Sequence, residues 1–356
     1  MATKKYELPL SVNYVRHWGI VEAVRELLQN ALDSDSPFEF QHGKGFVRII
    51  SRGSYLPTET LVLGETTKAD DNKKIGSFGE GYKIALLVLV RAGISVEVFN
   101  NDKYWVPSLE SSKQFNGTQV LVIKEKPYNP GSNPGLIFHL SGLSDQQIAD
   151  VSRSCIRLWQ PEEVGVVEPT PWGDVLLNHS GTLFVNGLFV CNTRLKYSYN
   201  MKPQYLRLER DRQTVSTFDL QWLTMQMWNH IAAKHPMTLC NMVDGKALDV
   251  EYIDSAASEL VKGIYHSHFQ STNGQKVAVE DQLNYDAVAA YATPVLVPGT
   301  AVRLLAATSA YTAALPTPTP QPTPRQVLEA WFDAKGLPIG GAEEELFSLA
   351  DNWRLK

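Results

Sequence analysis

Val21-Glu22-Ala23-Val24-Arg25-Glu26-Leu27-Leu28-Gln29-Asn30-Ala31-Leu32-Asp33-Ser34 is the stretch on which the reading of this chain turns. Val24, Leu27, Leu28 and Ala31 recur with the 3.6-residue period of an amphipathic helix over residues 21–32. Ser34, Asp35, Ser36 and Pro37 then stop it. Glu26, Asn30 and Asp33 are spaced by four and three residues, so they share the side opposite the apolar stripe. A polar stripe of this kind has two readings. One is the solvated face of a surface helix. The other is a magnesium-nucleotide site, in which a side-chain oxygen of Asn30 ligates Mg²⁺ and Glu26, one turn earlier, orients and deprotonates a water.

Outward from this helix the pattern alternates. Residues 46–50 read as a strand, and residues 64–81 as a polar, glycine-bearing loop. Residues 82–92 form an apolar helix that Gly93 closes. Residues 94–99, 103–106 and 118–123 are strand-like, with Asn100, Asn101 and Asp102 as a turn. A helix, a loop, a helix and a meander predict an α+β sandwich, not a doubly wound parallel sheet. Gly76, Gly79 and Gly81 precede the second helix. They permit close backbone approach to a ligand, and the helix N-terminus after them offers N–H groups to phosphates.

Taken in order, these segments resemble the GHKL (Bergerat-fold) ATPase superfamily, which includes the gyrase B subunit, the ninety-kilodalton heat-shock chaperones, histidine kinases and MutL. Glu26-Leu27-Leu28-Gln29-Asn30-Ala31-Leu32-Asp33 fits that family's E-x-x-x-N-A-x-D helix, and Gly76, Gly79 and Gly81 fit its G-x-x-G-x-G lid. Gly117-Thr118 fits the G-T pair that opens a strand, and Gly64-Glu65-Thr66-Thr67-Lys68 resembles the segment before the lid in MutL-like members. The likeness spans residues 10–125 and lies nearest the chaperone and MutL-like branches, with the flavour of stand-alone phage or bacterial members. It implies a Bergerat-type sandwich, a mixed, mostly antiparallel sheet with helices on one face, and ATP and Mg²⁺ as cofactors. Glu26 becomes the general base, Asn30 the magnesium ligand and Asp33 part of the same box. The lid residues Gly76, Phe78, Gly79, Glu80, Gly81 and Tyr82 cover the phosphates, Lys68 and Lys83 are candidate phosphate contacts, and Thr118 lines the pocket.

Two points qualify the match. The family's D-x-G-x-G box places an Asp against the adenine amino group; here Ser51 occupies that position, Gly53 is kept, and Tyr55 replaces the last glycine. Serine offers a hydrogen bond without the charge, which leaves base selectivity open. In the second region, Arg207-Leu208-Glu209-Arg210-Asp211-Arg212 precedes a helix, and the resemblance implies that Arg210 or Arg212 reaches the γ-phosphate, a task suited to a guanidinium fork. A surface salt-bridge cluster is the competing reading of those residues.

Over the rest of the chain, residues 1–128 are expected to form the nucleotide-binding domain and 129–315 a second α/β domain that contacts it. Residues 316–324 form a stiff Pro/Thr linker and 325–356 a helical tail. Leu183-Phe184-Val185, then Asn186-Gly187, then Leu188-Phe189-Val190 reads as a hairpin with a type I′ turn. Residues 136–140 read as a strand, and Ser144 caps a helix running through residue 156. Further helices are expected at 218–234, 247–265 and 279–291.

The net charge of −5 provides no bulk attraction for nucleic acid. Three scattered cysteines suggest neither a disulfide framework nor a zinc site and fit a reducing cytoplasm. The longest apolar run, residues 84–90, is too short to span a bilayer, and the N-terminus does not read as a signal peptide. The leading expectation is an ATPase switch with a homodimeric or protein partner. Its rivals are a nucleotide-binding module that does not turn over and, more weakly, a MutL- or gyrase-like DNA-processing factor.

Overall fold

The computed structural model describes residues 3–34, 37–62, 80–131, 135–206, 215–316, 322–338 and 340–350. The chain divides into two compact units, Met1–Val261 and Lys262–Lys356. The first unit opens with β1 (Lys4–Ser11), α1 (Ile20–Leu32), the hairpin β2 (Phe38–Gly43) and β3 (Phe46–Arg52), and α2 (Gly81–Arg91). The meander β4 (Ser95–Asn100), β5 (Lys103–Ser111) and β6 (Gln119–Pro127) follows, and then β7 (Gly135–Ser141). These seven strands form one sheet in the order β1-β6-β5-β4-β7-β3-β2, antiparallel at every pairing. The expected α+β class is what the chain adopts, and the sheet expected as mixed and mostly antiparallel is antiparallel throughout.

The residue alternation of the strands sorts the two faces. Val47 and Ile49 of β3, Val96 and Val98 of β4, Trp105 of β5 and Phe138 and Leu140 of β7 face the helices and join one core with Ala23, Val24, Leu27 and Leu28 of α1 and Leu86, Leu87 and Leu89 of α2. The α2 helix is apolar nearly all round and is correspondingly buried nearly all round. It ends at Gly93, whose φ of 80° is a left-handed geometry that glycine adopts without strain.

The sheet extends past the boundary expected at residue 128. β7 inserts between β4 and β3, pairing Phe138 with Val98 on one side and with Ile49 on the other. Residues 135–141 therefore belong to the first layer, because without them β3 keeps only β2 and β4 only β5, and the edges that face each other go unpaired.

The unit continues with α3 (Asp145–Arg153), α4 (Pro161–Val164), β8 (Val167–Thr170), β9 (Gly173–Leu176), β10 (Thr182–Val185), β11 (Leu188–Asn192) and β12 (Ser198–Met201). Ser144 caps α3 as expected, accepting from the Gln147 amide at 3.2 Å, but the helix stops at Arg153. The five strands form a second sheet, β11-β10-β12-β9-β8, in which β10 and β12 run parallel. The Asn186-Gly187 turn has φ of 49° and 86°, the two positive values a type I′ hairpin requires. Then come α5 (Thr217–Ile231) and α6 (Pro236–Asp244). The helix expected over 247–265 is instead two single turns followed by α7 (Glu259–Asn273).

The second unit, which begins within α7, holds β13 (Val277–Val279), α8 (Gln282–Ala289), β14 (Pro294–Leu296), α9 (Gly299–Ala306), α10 (Ser309–Ala313), α11 (Pro324–Lys335) and α12 (Gly341–Ala350). β13 and β14 pair in parallel, so the stretch expected as one helix over 279–291 begins where a strand ends. Phe347 of α12 is buried with Phe332 of α11 against it at a ring separation of 5.4 Å. Among the described residues, no helix is long and apolar enough to cross a membrane.

Candidate functional site

The site is built on α1. Its entry is fixed at both ends of the preceding loop. Arg91, the last residue of α2, donates to the carbonyls of Val12 at 3.0 Å, Tyr14 at 2.8 Å, Val15 at 3.2 Å and Trp18 at 3.1 Å. One guanidinium thus gathers the whole turn leading into the helix, a use of its fork that sequence spacing does not reveal. At the helix start Glu22 accepts from the Gly19 amide at 2.9 Å.

The polar stripe of α1 is not a solvated face. Glu26 is 1% exposed and Asp33 3%, and Gln29 between them is also buried. Asn30 is half-buried; its Nδ2 donates to the Glu26 carbonyl at 2.9 Å. That bond uses the amide nitrogen on the helix itself and leaves Oδ1 as the end suited to a metal. Asp33 sits at the helix C-cap, its amide donating to the Gln29 carbonyl at 2.8 Å. The Asn30 amide oxygen is a hard oxygen donor of the kind Mg²⁺ accepts beside phosphates and water.

Ser51 lies on β3 in the same alternation as Val47 and Ile49, on the helix side of the sheet, and is buried. Gly53 follows with φ of 77° and turns the chain out of the strand. Asn100 at the end of β4 then secures that exit: its Oδ1 accepts from the Leu56 amide and its Nδ2 donates to the Leu56 carbonyl, both at 2.8 Å.

Glu80, Gly81, Tyr82 and Lys83 begin α2, with the Glu80 carbonyl accepting from Ile84 at 3.0 Å. The Tyr82 hydroxyl lies 2.9 Å from Thr60 Oγ1, and burial pushes its pKa up, so it remains a donor. Lys83 is 0% exposed. Its ammonium donates to the Thr60 carbonyl at 2.6 Å and to the Val62 carbonyl. A phosphate contact from Lys83 therefore requires those bonds to break.

Thr118 is exposed, in the turn between β5 and β6. Its carbonyl accepts from Ser112 at 2.9 Å, and Gly117 before it has φ of 80°. Lys68, Gly76, Phe78 and Gly79, and likewise Arg210 and Arg212, lie outside the described residues. Among the residues that are described, α1, β3 and the start of α2 converge on the helix side of the first sheet, while Thr118 sits at a strand end. Sequence reasoning missed Arg25, Thr60, Arg91 and Asn100. Arg25, Arg91 and Asn100 bond backbone groups distant in sequence, and Thr60 meets the Tyr82 hydroxyl and offers its carbonyl to Lys83, so no local pattern marks them.

No protein-family model matches this chain. An uncharacterized protein of Mycoplasma pneumoniae is 26% identical over 226 residues, a similarity covering 56% of this chain and 86% of that protein.

Proposed function

We propose that the first layer binds a nucleoside triphosphate with Mg²⁺ and that the protein hydrolyses it slowly, in the manner of the GHKL ATPases it resembles. The observation that carries this reading is the Glu26 carboxylate, shut from solvent one turn before an asparagine whose amide nitrogen is already used. A carboxylate is seldom buried on an otherwise ordinary amphipathic helix without a task. Bound Mg²⁺ supplies neutralisation of charge on the phosphate oxygens.

In this reading Glu26 holds the attacking water and accepts its proton. The new P–O bond forms at the terminal phosphorus, the bond to the leaving diphosphate breaks, and the diphosphate departs with the electron pair. Asn30 Oδ1 is the side-chain metal ligand. Ser51 faces the base with one hydroxyl, too little to impose strong adenine selectivity. By the same resemblance, the working form pairs with a second copy or a protein client in the cytoplasm.

Calorimetric titration with ATP, GTP and ADP, with and without Mg²⁺, tests binding, and radiolabelled hydrolysis by wild type and Glu26→Ala tests turnover. The expected result is magnesium-dependent binding in both proteins, with hydrolysis reduced by about a hundredfold or more in the variant. Equal rates in the two proteins refute the ATPase. Ser51 in place of a carboxylate favours one second reading, a nucleotide-binding module without turnover. Equal background rates alongside intact binding are its signature.

A further inference from the structure

We infer that Arg25 is the positioning residue of this site, holding α1, and with it the Glu26 carboxylate, against the β10–β11 hairpin of the second sheet. The inference rests on the magnesium-nucleotide reading of Glu26 and Asn30. Arg25 precedes Glu26 on α1 and is 6% exposed. A guanidinium taken this far from water needs an acceptor. Its Nη1 donates to the Phe189 carbonyl of β11 at 3.2 Å, across 164 residues of sequence.

The local irregularity of β11 suits this contact. Leu183 pairs with Cys191 but Phe184 pairs with Phe189, so Val190 is an extra residue on β11. A bulge disturbs the ladder and re-aims the groups beside it, and here the neighbouring carbonyl meets Arg25.

The hairpin is itself anchored to the first layer. Gly187 accepts from the Ile156 amide at 2.9 Å, and the Phe189 amide donates to Ser154 at 2.8 Å. Leu188 is buried in the first layer's core beside Cys155, with which it forms a bridge. α3, which leads into Ser154, packs on α1. The Phe189 carbonyl is therefore a fixed point, and Arg25 transfers that fixity to the turn of α1 that bears Glu26. Rotation of α1 by a fraction of a turn would move the carboxylate relative to a bound phosphate, and the Arg25 bond opposes it. A change in α1 on nucleotide binding is felt, by the same bond, at the hairpin.

The full-length wild type, Arg25→Ala and Arg25→Lys are compared for ATP·Mg²⁺ affinity by calorimetry, for turnover, for thermal unfolding and for amide exchange over residues 182–192. The expected result for Arg25→Ala is turnover lower by about tenfold or more with affinity within about twofold of wild type. Nucleotide is expected to slow exchange of the hairpin in wild type and not in Arg25→Ala, and Arg25→Lys, which keeps a cationic donor without the planar fork, to recover part of both effects. Unchanged turnover and an unchanged exchange response in folded Arg25→Ala overturn the inference. So does a parallel loss of affinity, turnover and thermal stability without rescue by lysine, which marks a merely structural role. If Arg25→Ala does not fold, Arg25→Lys alone decides by the same split between turnover and affinity. Absence of nucleotide binding in the wild type overturns the reading of the site and this inference with it, whereas normal binding with a silent Arg25→Ala overturns this inference alone.

Discussion

Lys83 and Glu110 show how differently a charge behaves in the core and on the sheet surface. The Lys83 ammonium is buried and held by backbone carbonyls where the chain leaves residues 58–62, so it fixes the start of α2 to the end of that segment. Glu110 lies on the outer face of the sheet, where Lys5 of β1 and Lys124 of β6 stand directly opposite each other in register. Both ammoniums converge on its carboxylate, at 2.8 and 2.7 Å, and relieve what would otherwise be a like-charge pair.

The hydrogen bond from Lys124, then that from Lys5, lowers the Glu110 pKa from 4.5 to about 2. A carboxyl with a depressed folded-state value binds protons more tightly when unfolded. Its contribution is complete above the unfolded value and disappears as pH falls through the folded one. The stability gap between wild type and Glu110→Gln is therefore expected to be full at neutral pH and to close between about pH 4.5 and about pH 2. Urea denaturation across that range, at low and high salt, measures it. A gap independent of pH argues against the ionic origin, and salt should narrow it, since the group is partly exposed.

Among the elements, the second sheet depends on one buried carboxylate. Asp249 is fully buried and accepts from the Lys196 amide at 2.7 Å, the Tyr197 amide at 3.1 Å and the Tyr199 hydroxyl. Trp228 of α5 donates to the same hydroxyl at 2.8 Å, and Thr224 Oγ1 donates to the Asp249 carbonyl at 3.0 Å. β12 and α5 are thus joined through a single side chain carried on a short turn. Burial, then the Asp249 charge, drives the Tyr199 pKa well above its ordinary value, so the phenol stays a donor.

Asp249→Ala leaves those donors without an acceptor, and a loss of about 3 kcal/mol is expected. A lower midpoint in urea with an unchanged slope would report it. Asp249→Asn, which keeps one acceptor oxygen, is expected to lose less. At this scale the sequence was legible where one element carries its own signal. The Asn186-Gly187 hairpin follows from turn chemistry, and α1 and α2 follow from apolar period and a glycine stop. β1, with Pro9 within it, and the short β8, β9 and β12 carry too little pattern, because their pairing partners, and not their composition, make them strands.

For the whole molecule, the position of β7 decides what can fold alone. A fragment of residues 1–128 lacks the strand between β3 and β4 and exposes core edges on both. It is expected to show no cooperative unfolding transition, whereas a fragment of residues 1–261, which keeps both sheets and their shared core around Cys155 and Leu188, unfolds cooperatively. Thermal melts followed by near-ultraviolet circular dichroism distinguish the two. A sharp transition in the shorter fragment would show that β7 is dispensable.

Residues 21–34 determined by themselves that a helix forms there, which side is apolar, and that Glu26, Asn30 and Asp33 share the other side, because helical period is a local property of the chain. Only the tertiary structure decided that this polar side is closed to water and that Lys83 is used inside the fold. The same holds for Arg25, whose partner lies on a strand 164 residues away. Burial and pairing are set by which segments meet, and segments far apart in sequence meet through the packing of the whole core, which no local spacing encodes.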